Sequence, residues 1–413
     1  MPTKKRKGSN KPKMGKNEQR DIDEYTQKTN CSDLVDGTVE LSTFSDHIID
    51  DSGDEEVSEF SINSILQDDL LEQILVYLPI ASMLRAGLVC KKWREITSSK
   101  RFLLNASQTV PQNSWYFMRI DDYEYVQSGY AYDPILQKWQ RIDFPDMMES
   151  FRFCDSSDGL VCYRKKNEIH VCNPITRETK KLPLLTYFGC PILINIWVNQ
   201  RSHNYIVSVL TCQRVTGSRE KELSFQVYDS ATMSWSASQT EVPTRWTSGH
   251  KSVICNGVMY LVFRTSRDPC QFGLLAYNCS SDSSSHGELL NSFIPLPCSD
   301  ICGLMNLKGK LIIVAAIGRS GNEELNFGFS IWLLKGKDWQ EISRITHTCF
   351  DKSDELFRCS GAGHLIYISA YFEPRLVVFD MNLKQWKDCQ KCHVGVGDLF
   401  NGFCFQPRLD ISP

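Results

Sequence analysis

Five residues near the C-terminus, Cys-Gln-Lys-Cys-His at 389–393, have the spacing of a covalent haem-attachment motif. In such a motif Cys389 and Cys392 would form thioether bonds, and His393 would supply an axial ligand to the iron. The same three side chains could bind zinc, which requires a fourth ligand. The motif stands alone, just after a predicted strand that contains Trp386. We therefore interpret it as a strand-to-turn transition and expect neither haem nor a metal.

The other side chains capable of chemistry are scattered along the chain. The eight histidines form no cluster, and Cys298 and Cys302 lack a second pair. No phosphate-binding loop, nucleophile elbow or pair of carboxylates stands out. The segment Asp-Ser-Gly-Asp-Glu-Glu at 51–56 resembles a phosphodegron or a kinase site, but an acidic linker is the favoured interpretation. We predict a chain with no catalytic residue, no metal and no cofactor.

The stretch Leu-Val-Cys-Lys-Lys-Trp-Arg-Glu-Ile at 88–96 allows three interpretations. As a nucleic-acid patch it would need a continuous basic face with aromatic stacking partners. As a reactive thiol, Cys90 would need exposure and a neighbouring base. The apolar neighbours Leu88 and Val89 instead favour burial of Cys90 and an inward-facing Trp93. We therefore interpret the stretch as the edge of a small helical module.

The composition is that of a globular protein that stays inside the cell. Of the 413 residues 42% are apolar and 23% charged, and the formal net charge is −3, which gives no overall attraction to nucleic acid or acidic membranes. The chain opens with basic residues instead of an apolar signal segment, and no apolar run approaches the ~20 residues that cross a bilayer. The 17 cysteines lie mostly in apolar runs, so we interpret them as small buried side chains without disulfides.

The first 60 residues are predicted to form a disordered tail, because their polar composition cannot bury enough surface to offset the ordering entropy. Residues 4–16 carry seven basic side chains and no acidic one, whereas residues 46–59 are acidic. The basic cluster Lys4, Lys5, Arg6 and Lys7 is a candidate nuclear localisation signal. A solvated tail is the alternative, and the sequence leaves both open.

A helical pattern begins at about residue 61 and extends to about 106. Apolar side chains recur at helical spacing from Leu66 to Leu78, Asp68 or Asp69 precedes them, and Pro79 ends the pattern. Two further short helices are predicted at 81–88 and 91–98. Three short helices bury little surface by themselves, so the module is expected to pack on a partner.

From residue 112 the helical period gives way to short β-rich runs that contain a repeat. An aromatic residue, Asp, five residues and Trp recur from Tyr132, Tyr228 and Phe379. The segment from Trp332 keeps the aromatic-to-Trp spacing but lacks the Asp, and degenerate copies begin at Cys172 and Tyr277. In each copy the Asp side chain is expected to cap a tight turn between two strands, with the Trp packing inward.

A glycine followed by a β-run precedes most copies, at Gly159, Gly257, Gly309 and Gly363. The copies are separated by 40 to 56 residues, which is typical of the blades of a kelch-type β-propeller. Six copies predict six blades between about 112 and 406. The segment Asn-Gly-Phe-Cys-Phe at 401–405 is expected to supply the strand that closes the ring with the first blade.

The helical module resembles an F-box. The resemblance rests on the carboxylate-Leu-Leu of residues 69–71, Ile-Leu at 74–75, Leu-Pro at 78–79 and Val-Cys-Lys-Lys-Trp-Arg at 89–94. Gln67 departs from the pattern, which usually has Pro there. The order of F-box and degenerate kelch repeats is similar to that of the plant F-box/kelch-repeat family, and the resemblance covers the chain from Leu66 onwards.

Membership of that family would imply a substrate-recognition subunit of an SCF-type ubiquitin ligase, with no catalytic residue of its own. The F-box would bind a Skp1-like adaptor and, through it, cullin–RING, while loops at one rim of the propeller would hold a target protein. The implied adaptor-binding residues are Leu66, Leu70, Ile74, Leu75, Leu78, Pro79, Val89, Cys90 and Trp93. A scaffold protein outside any ligase is the alternative. An enzyme or sugar-binding propeller is disfavoured by the dispersed histidines.

Overall fold

The computed structural model of the protein describes residues 67–109, 113–121, 128–143, 154–185, 191–214, 221–242, 246–265, 272–279, 288–290, 300–317, 328–346, 350, 357–370, 373–389, 391–392 and 398–413. The predicted tail, with Lys4, Lys5, Arg6 and Lys7, lies outside the described residues. The same holds for Leu66 at the start of the helical pattern and for His393 of the Cys-x-x-Cys-His motif.

The N-terminal module contains four helices: α1 (Asp68–Val76), α2 (Ile80–Ala86), α3 (Lys91–Ser98) and α4 (Lys100–Thr109). The three predicted helices are present. Asp68 and Asp69 lie in the first turn of α1, where carboxylates interact favourably with the helix dipole. Pro79 directly precedes α2, where its fixed φ and missing N–H cost nothing.

The prediction of three helices was incomplete, because α4 is a fourth. Its N-terminus is capped by Ser99, whose Oγ accepts a hydrogen bond from the Phe102 backbone N–H at 3.2 Å. Phe102 and Ala106, four residues apart, are its buried side chains. An apolar stripe of only two fully buried residues is too short to stand out as a helical period, but the Ser99 cap was a usable signal.

Within the described ranges, twenty-four strands form six four-stranded antiparallel sheets, which are the blades of a propeller. From the innermost strand outwards, blade 1 contains β24 (Asp398–Phe405), β1 (Trp115–Asp121), β2 (Ser128–Asp133) and β3 (Lys138–Asp143). Blade 2 contains β4 (Cys154–Ser157), β5 (Leu160–Lys165), β6 (Glu168–Cys172) and β7 (Thr179–Lys181). Blade 3 contains β8 (Pro191–Val198), β9 (Tyr205–Arg214), β10 (Lys221–Asp229) and β11 (Ser234–Val242).

The remaining blades follow the same order. Blade 4 contains β12 (Trp246–Cys255), β13 (Val258–Thr265), β14 (Phe272–Asn278) and β15 (Glu288–Leu290). Blade 5 contains β16 (Asp300–Leu307), β17 (Lys310–Ile317), β18 (Gly328–Lys335) and β19 (Asp338–Ile345). Blade 6 contains β20 (Phe357–Ala362), β21 (Leu365–Ala370), β22 (Glu373–Asp380) and β23 (Gln385–Asp388). The prediction of six blades is confirmed.

The last strand of the chain closes the ring, as the sequence predicts. Strand β24 pairs antiparallel with β1, so blade 1 takes its innermost strand from the C-terminus and its other three from the start of the propeller. Trp115 lies opposite Phe405 in the register, and their rings pack edge to face with centroids 6.1 Å apart. Closure therefore covers the edge of β1, which would otherwise be the unpaired innermost strand of a three-stranded blade.

The Asp of the sequence repeat caps a turn, as predicted. In blade 1 the Asp133 Oδ1 accepts hydrogen bonds from the backbone N–H groups of Ile135 at 2.8 Å and Leu136 at 3.2 Å. Strand pairing then places Tyr132 directly opposite Trp139. The same arrangement recurs at Asp229 and Asp380, and in blade 2 at Asn173, whose amide oxygen replaces the carboxylate.

The copy that begins at Trp332 keeps the spacing of the repeat but not its geometry. Here Leu334, and not Trp332, lies opposite Trp339. The hairpin between β18 and β19 turns through two residues, with Gly336 at a φ of +63°, whereas the copies that begin at Tyr132, Tyr228 and Phe379 use a four-residue turn. Two fewer residues in the turn shift the partner of Trp339 by two positions.

The helices pack on the propeller through one shared core. Leu75 and Phe102 from the helices belong to the same buried cluster as Phe403, Phe405 and Leu409 near the C-terminus. A hydrogen bond of 2.7 Å from the Arg85 guanidinium to the Gln140 side-chain oxygen links α2 to blade 1. The sequence predicts that the small helical module packs on a partner. In the structure, part of its apolar surface packs on the propeller of the same chain.

Residues 406–413 form a C-terminal segment that lies across blade 2 at its junction with the helices. Arg408 binds the Asp158 carboxylate at 2.6 Å and the Asp410 carboxylate at 2.7 Å. The Asn173 amide donates hydrogen bonds to the backbone oxygens of Arg408 and Ile411. Leu409 packs in the core shared with the helices, and Ile411 in the core between blades 2 and 3.

Every cysteine assigned in the described part of the chain is a free thiol, and most are buried, in keeping with their interpretation as small apolar side chains. Within the described residues no helix is long and apolar enough to cross a membrane. The described ranges also contain no group of three or more His, Cys, Asp or Glu side chains arranged to bind a metal ion.

Candidate functional site

The first candidate site is a set of large apolar side chains that the helices leave exposed. On α1 and the turn after it, Leu70, Ile74 and Tyr77 are exposed by 48%, 53% and 70%. Their spacing of four and three residues places them on one side of the helix. Between α2 and α3, Leu88 and Val89 are exposed by 48% and 64%. We call these five residues the exposed apolar group.

An ion pair joins the two parts of this group. The Lys92 ammonium in the first turn of α3 lies 2.6 Å from the Asp68 carboxylate in the first turn of α1. Val89 lies two residues before the start of α3, and Leu70 lies two residues after Asp68, so the ion pair links the two segments that carry the exposed apolar group. Large apolar side chains left in water by helices that otherwise have a well-buried face are typical of a protein interface.

The residues predicted to contact an adaptor divide into three sets. Leu70, Ile74 and Val89 are exposed, whereas Leu78, Pro79, Cys90 and Trp93 are half-buried. Leu75 is only 1% exposed and belongs to the core beneath α1. Its assignment as a contact residue is therefore corrected: it supports the surface from below. Sequence reasoning missed Tyr77 and Leu88, although Tyr77 continues the spacing of Leu70 and Ile74.

The structure separates the interpretations of residues 88–96. Trp93 packs against the shared core, and its backbone oxygen accepts a hydrogen bond from the Thr97 hydroxyl at 2.9 Å, so its ring is no stacking platform. Lys92 is paired with Asp68. Cys90 is half-buried at the start of α3. The stretch lies at the edge of the helical module, but the expected burial is incomplete, because Cys90 is half-buried and Leu88 and Val89 are exposed.

The second candidate site is the central channel of the propeller, a cavity of about 980 Å³ lined by the innermost strands of all six blades. Its wall is held together by side chains that bond the backbone of the next innermost strand. The Ser157 hydroxyl accepts from the Val198 N–H at 3.1 Å, and the Ser360 hydroxyl from the Cys404 N–H at 2.9 Å. These contacts fix the positions of the lining residues.

Asp155 is the most perturbed carboxylate of the channel wall. Burial raises the pKa of Asp155 to about 6, opposed by hydrogen bonds that its carboxylate accepts from the Ile196 N–H, the Ser156 N–H and the Asn195 amide. Its Oδ2 lies 3.0 Å from the Ile196 nitrogen and 3.4 Å from the Asn195 amide nitrogen. The carboxylate thus links blade 2 to blade 3.

The Cys-x-x-Cys-His motif lies at the end of a strand. Cys389 follows β23 and donates its backbone N–H to the Leu376 oxygen at 2.9 Å, while Cys392 is buried. Burial raises the pKa of the Cys389 thiol to about 11. A half-buried Cys389 at the strand end agrees with the interpretation as a strand-to-turn transition, and His393 lies outside the described residues.

Comparison with known proteins identifies both parts of the chain. The F-box domain family matches residues 64–105, and the family described as F-box associated beta propeller domain matches residues 101–398. An F-box/kelch-repeat protein of Arabidopsis thaliana is 44% identical over 382 residues, which cover 86% of this chain and 92% of the relative. The chain belongs to the F-box/kelch-repeat proteins.

More distant plant relatives share the same length of chain. F-box only protein 13 of Arabidopsis thaliana is 24% identical and covers 86% of each chain. The Arabidopsis protein UNUSUAL FLORAL ORGANS is 24% identical and covers 84% of this chain and 85% of the relative. In both cases the alignment covers more than four fifths of this chain and of the relative.

Proposed function

We propose that this chain is the substrate-recognition subunit of an SCF-type ubiquitin ligase. The observation that carries the proposal is the exposed apolar group on helices that match the F-box family. An amphipathic helix that presents Leu70, Ile74 and Tyr77 to solvent fits the groove of a helical adaptor, and the adaptor we propose is Skp1-like. Cullin–RING would be recruited through that adaptor.

The proposed mechanism is positional. The propeller holds a target protein while the F-box holds the adaptor, and the complex keeps target lysines near a charged ubiquitin carrier. The contribution of this chain is a high effective concentration, and no side chain of its own takes part in a covalent step. The shared core between helices and propeller supports the proposal, since it fixes the distance between the two bound partners.

The test is a pull-down of a Skp1-like adaptor with the full chain and with the double variant Ile74→Asp/Val89→Asp. Both residues are exposed, so the variant is expected to fold and to lose the adaptor. The matched control is Met233→Asp/Leu383→Asp, which places the same charges at exposed apolar positions of propeller turns. Equal capture of the adaptor by all three proteins, or capture by none, would contradict the proposal.

The second candidate function is a scaffold that binds the adaptor but belongs to no ligase. The level of the target protein in cells distinguishes this scaffold function from the ligase function. Target levels that rise when the cullin is inhibited, and that fall when the chain is overproduced, support the ligase. Levels that do not respond to cullin inhibition favour the scaffold.

The nucleus is the proposed location, on the ground of Lys4, Lys5, Arg6 and Lys7 in the N-terminal basic cluster. Neutral substitution of the four basic residues should move a fluorescent fusion out of the nucleus.

We also propose a finer similarity, to the Hawaiian skirt F-box protein, from stretches such as those at 129–135 and 379–386. Restoration of growth in plants that lack Hawaiian skirt would test the finer similarity, and failure to restore it would count against it.

A further inference from the structure

Two hairpin turns of blade 5 carry the same three residues, Lys-Gly-Lys. The first, at residues 308–310, joins β16 to β17, and the second, at residues 335–337, joins β18 to β19. The central glycine has a positive φ in both turns, +76° and +63°, which lets the chain reverse within two residues. All four lysines are exposed. We call Lys308, Lys310, Lys335 and Lys337 the lysine corner.

Strand pairing brings the two turns together at one corner of the sheet. Strands β17 and β18 are neighbours, and their register pairs Ile312 with Leu333. Continued by two residues, this register places Lys310 at the start of β17 opposite Lys335 at the end of β18. Residues opposite each other in an antiparallel pair have Cα atoms about 4.5–5.5 Å apart and side chains on the same face. The lysines of both turns therefore lie close together.

The protein leaves this concentration of positive charge largely uncompensated. Like charges directly opposite each other on neighbouring strands repel. Asp338, opposite Lys335 in the pairing of β18 with β19, is the one acidic residue in or directly next to the two turns. Within the described ranges, no lysine of the corner takes part in an ion pair. A group of four cations with one acid favours a partner of negative charge.

Hydrogen bonds hold the backbone of the first turn in place. The Gly309 N–H donates to the Asn306 side-chain oxygen at 2.9 Å, and the Gly309 oxygen accepts from the Asn256 amide at 3.2 Å. Asn256 belongs to the turn between β12 and β13, so the first lysine turn is attached to blade 4 as well as to its own blade. Because this backbone is already fixed, binding of a partner has to order only the lysine side chains, which lowers its entropic cost.

The lysine corner lies on the face of the ring that carries the helices. Counted from the innermost strand of each antiparallel blade, the turn from the first to the second strand and the turn from the third to the fourth are on the same face. Leu136 and Ile175, in the third-to-fourth turns of blades 1 and 2, pack against the core under the helices. The two lysine turns are the corresponding turns of blade 5. The chain that precedes α1 therefore starts from the same face of the ring.

We propose that the lysine corner is the docking site of the acidic segment at residues 46–59 of this same chain. That segment contains seven acidic residues and no lysine or arginine. The segment and the corner are therefore complementary in charge. Covalent attachment also gives the segment a high effective concentration at the corner, which a separate acidic protein lacks.

The length of the intervening chain permits this contact. Residues 59 and 46 are 8 and 21 positions before residue 67, where the described structure begins. At about 3.3–3.6 Å per residue, these lengths reach up to about 28 and 72 Å. Two four-stranded blades on opposite sides of a channel measure roughly 40–50 Å across, since neighbouring strands lie about 4.8 Å apart. The segment is therefore long enough to extend from the helices to blade 5.

Modification of the segment would strengthen the docking. Ser52 belongs to the stretch Asp-Ser-Gly-Asp-Glu-Glu at 51–56, which resembles a kinase site. A phosphate group on Ser52 would add about −1.5 to −2 charges and three strong acceptor oxygens. We therefore expect the phosphorylated segment to bind the lysine corner more tightly than the unmodified segment.

Cross-linking of the full chain with a carbodiimide tests the contact directly, because this reagent joins a carboxylate to an amine only where the two groups meet. Mass spectrometry of the digested protein should find the acidic segment joined to lysines of the corner. Cross-links to other exposed lysines, such as Lys138 and Lys166, should be rare. Salt at about 0.5 M should suppress the cross-links, since it screens exposed charges.

Titration of a labelled peptide of residues 46–59 measures the affinity by fluorescence anisotropy. The peptide is added to the wild type and to a chain whose own segment is neutralised by Asp50→Asn, Asp51→Asn, Asp54→Asn, Glu55→Gln and Glu56→Gln. The neutralised chain should bind the peptide about tenfold or more tightly than the wild type does, because its corner is vacant. A peptide with phosphoserine at position 52 should bind more tightly still.

Two lysine variants of the neutralised chain locate the site. The corner variant is Lys308→Gln/Lys310→Gln/Lys335→Gln/Lys337→Gln, and it should lose affinity for the peptide by about tenfold or more. The matched control removes the same charge from exposed positions on the helices and on blades 1 and 2, with Lys91→Gln/Lys100→Gln/Lys138→Gln/Lys166→Gln. The control should bind as the neutralised chain does. Thermal unfolding verifies that both variants are folded.

Four results would each overturn the proposal. They are no binding of the peptide by the neutralised chain, equal binding by the wild type and the neutralised chain, and equal binding after loss of the corner lysines in a folded protein. The fourth is binding of the peptide at the corner without cross-links to the chain's own segment, which would assign the corner to an acidic segment of another protein. The experiments use the chain without an adaptor, so their outcome is independent of the proposed ligase function.

Discussion

Ile74 and Leu75 are adjacent in α1, yet one side chain is exposed and the other is buried in the core. Ile74→Ala should leave the free energy of unfolding within about 0.5 kcal/mol of the wild type, while weakening adaptor binding by about tenfold or more. Leu75→Ala should cost about 2–5 kcal/mol of stability through the cavity it leaves. Thermal unfolding and adaptor titration on both variants check the contrast. Equal losses of stability would contradict it.

Asp155 makes stability depend on pH. Its pKa is about 6 in the folded protein and 3.8 in the unfolded reference, so the folded state holds a proton between these values that the unfolded state has lost. Stability therefore falls as the pH rises from about 4 to 6, and the cost at pH 7.5 is on the order of 3 kcal/mol.

Asp155→Asn removes that cost and keeps an oxygen for the Ile196 N–H. We expect the variant to be more stable than the wild type by about 1–2 kcal/mol at pH 7.5, with the difference shrinking towards pH 4.5. Urea unfolding at the two pH values measures it. Asp338→Asn, at an exposed position, removes the same charge as a control. A loss of stability at both pH values would mean that the carboxylate's hydrogen bonds outweigh its burial.

At the scale of elements, α4 depends on a local contact. Ser99→Ala removes the hydroxyl that accepts the Phe102 N–H and should cost about 1 kcal/mol. Ser98→Ala, at the neighbouring exposed position, should change stability by no more than a few tenths of a kcal/mol. The denaturant midpoints of the two variants measure this difference in stability. Equal midpoints would argue against a capping role for Ser99.

The elements also show what a sequence reveals about this fold. The Asp133 turn and its copies were predictable because the side chain bonds to its own backbone two and three residues on. The outward face of α1 was not, since Leu70, Leu71, Ile74 and Leu75 are all apolar and only packing on the propeller separates them.

At the scale of the whole molecule, Arg408 ties the C-terminal segment to blade 2. Arg408→Gln would leave the buried carboxylates of Asp158 and Asp410 without their cation, at a cost of about 3–5 kcal/mol. Arg344→Gln breaks an exposed pair with Glu341 and should cost at most about 0.5 kcal/mol. Thermal melts of the two variants compare them, and similar melting temperatures would contradict this role of the segment.

The packing of the helices on the propeller and the closure of the propeller ring depend on the same stretch of chain. Phe403 and Phe405 belong both to β24 and to the core under α1 and α4. In the proposed complex, one continuous apolar cluster would therefore position both the adaptor on the F-box and the target on the propeller. Loosening that cluster should affect ubiquitin transfer to a bound target more than it affects either binding step.

Ring closure by β24 also has a consequence for synthesis on the ribosome. Blade 1 emerges early but lacks its innermost strand until residues 398–405 have left the exit tunnel. Until then the β1 edge is an open template for other strands, which chaperones would have to shield. A product of premature termination keeps that open edge, so quality control can distinguish an interrupted chain from a finished one by its unpaired first blade.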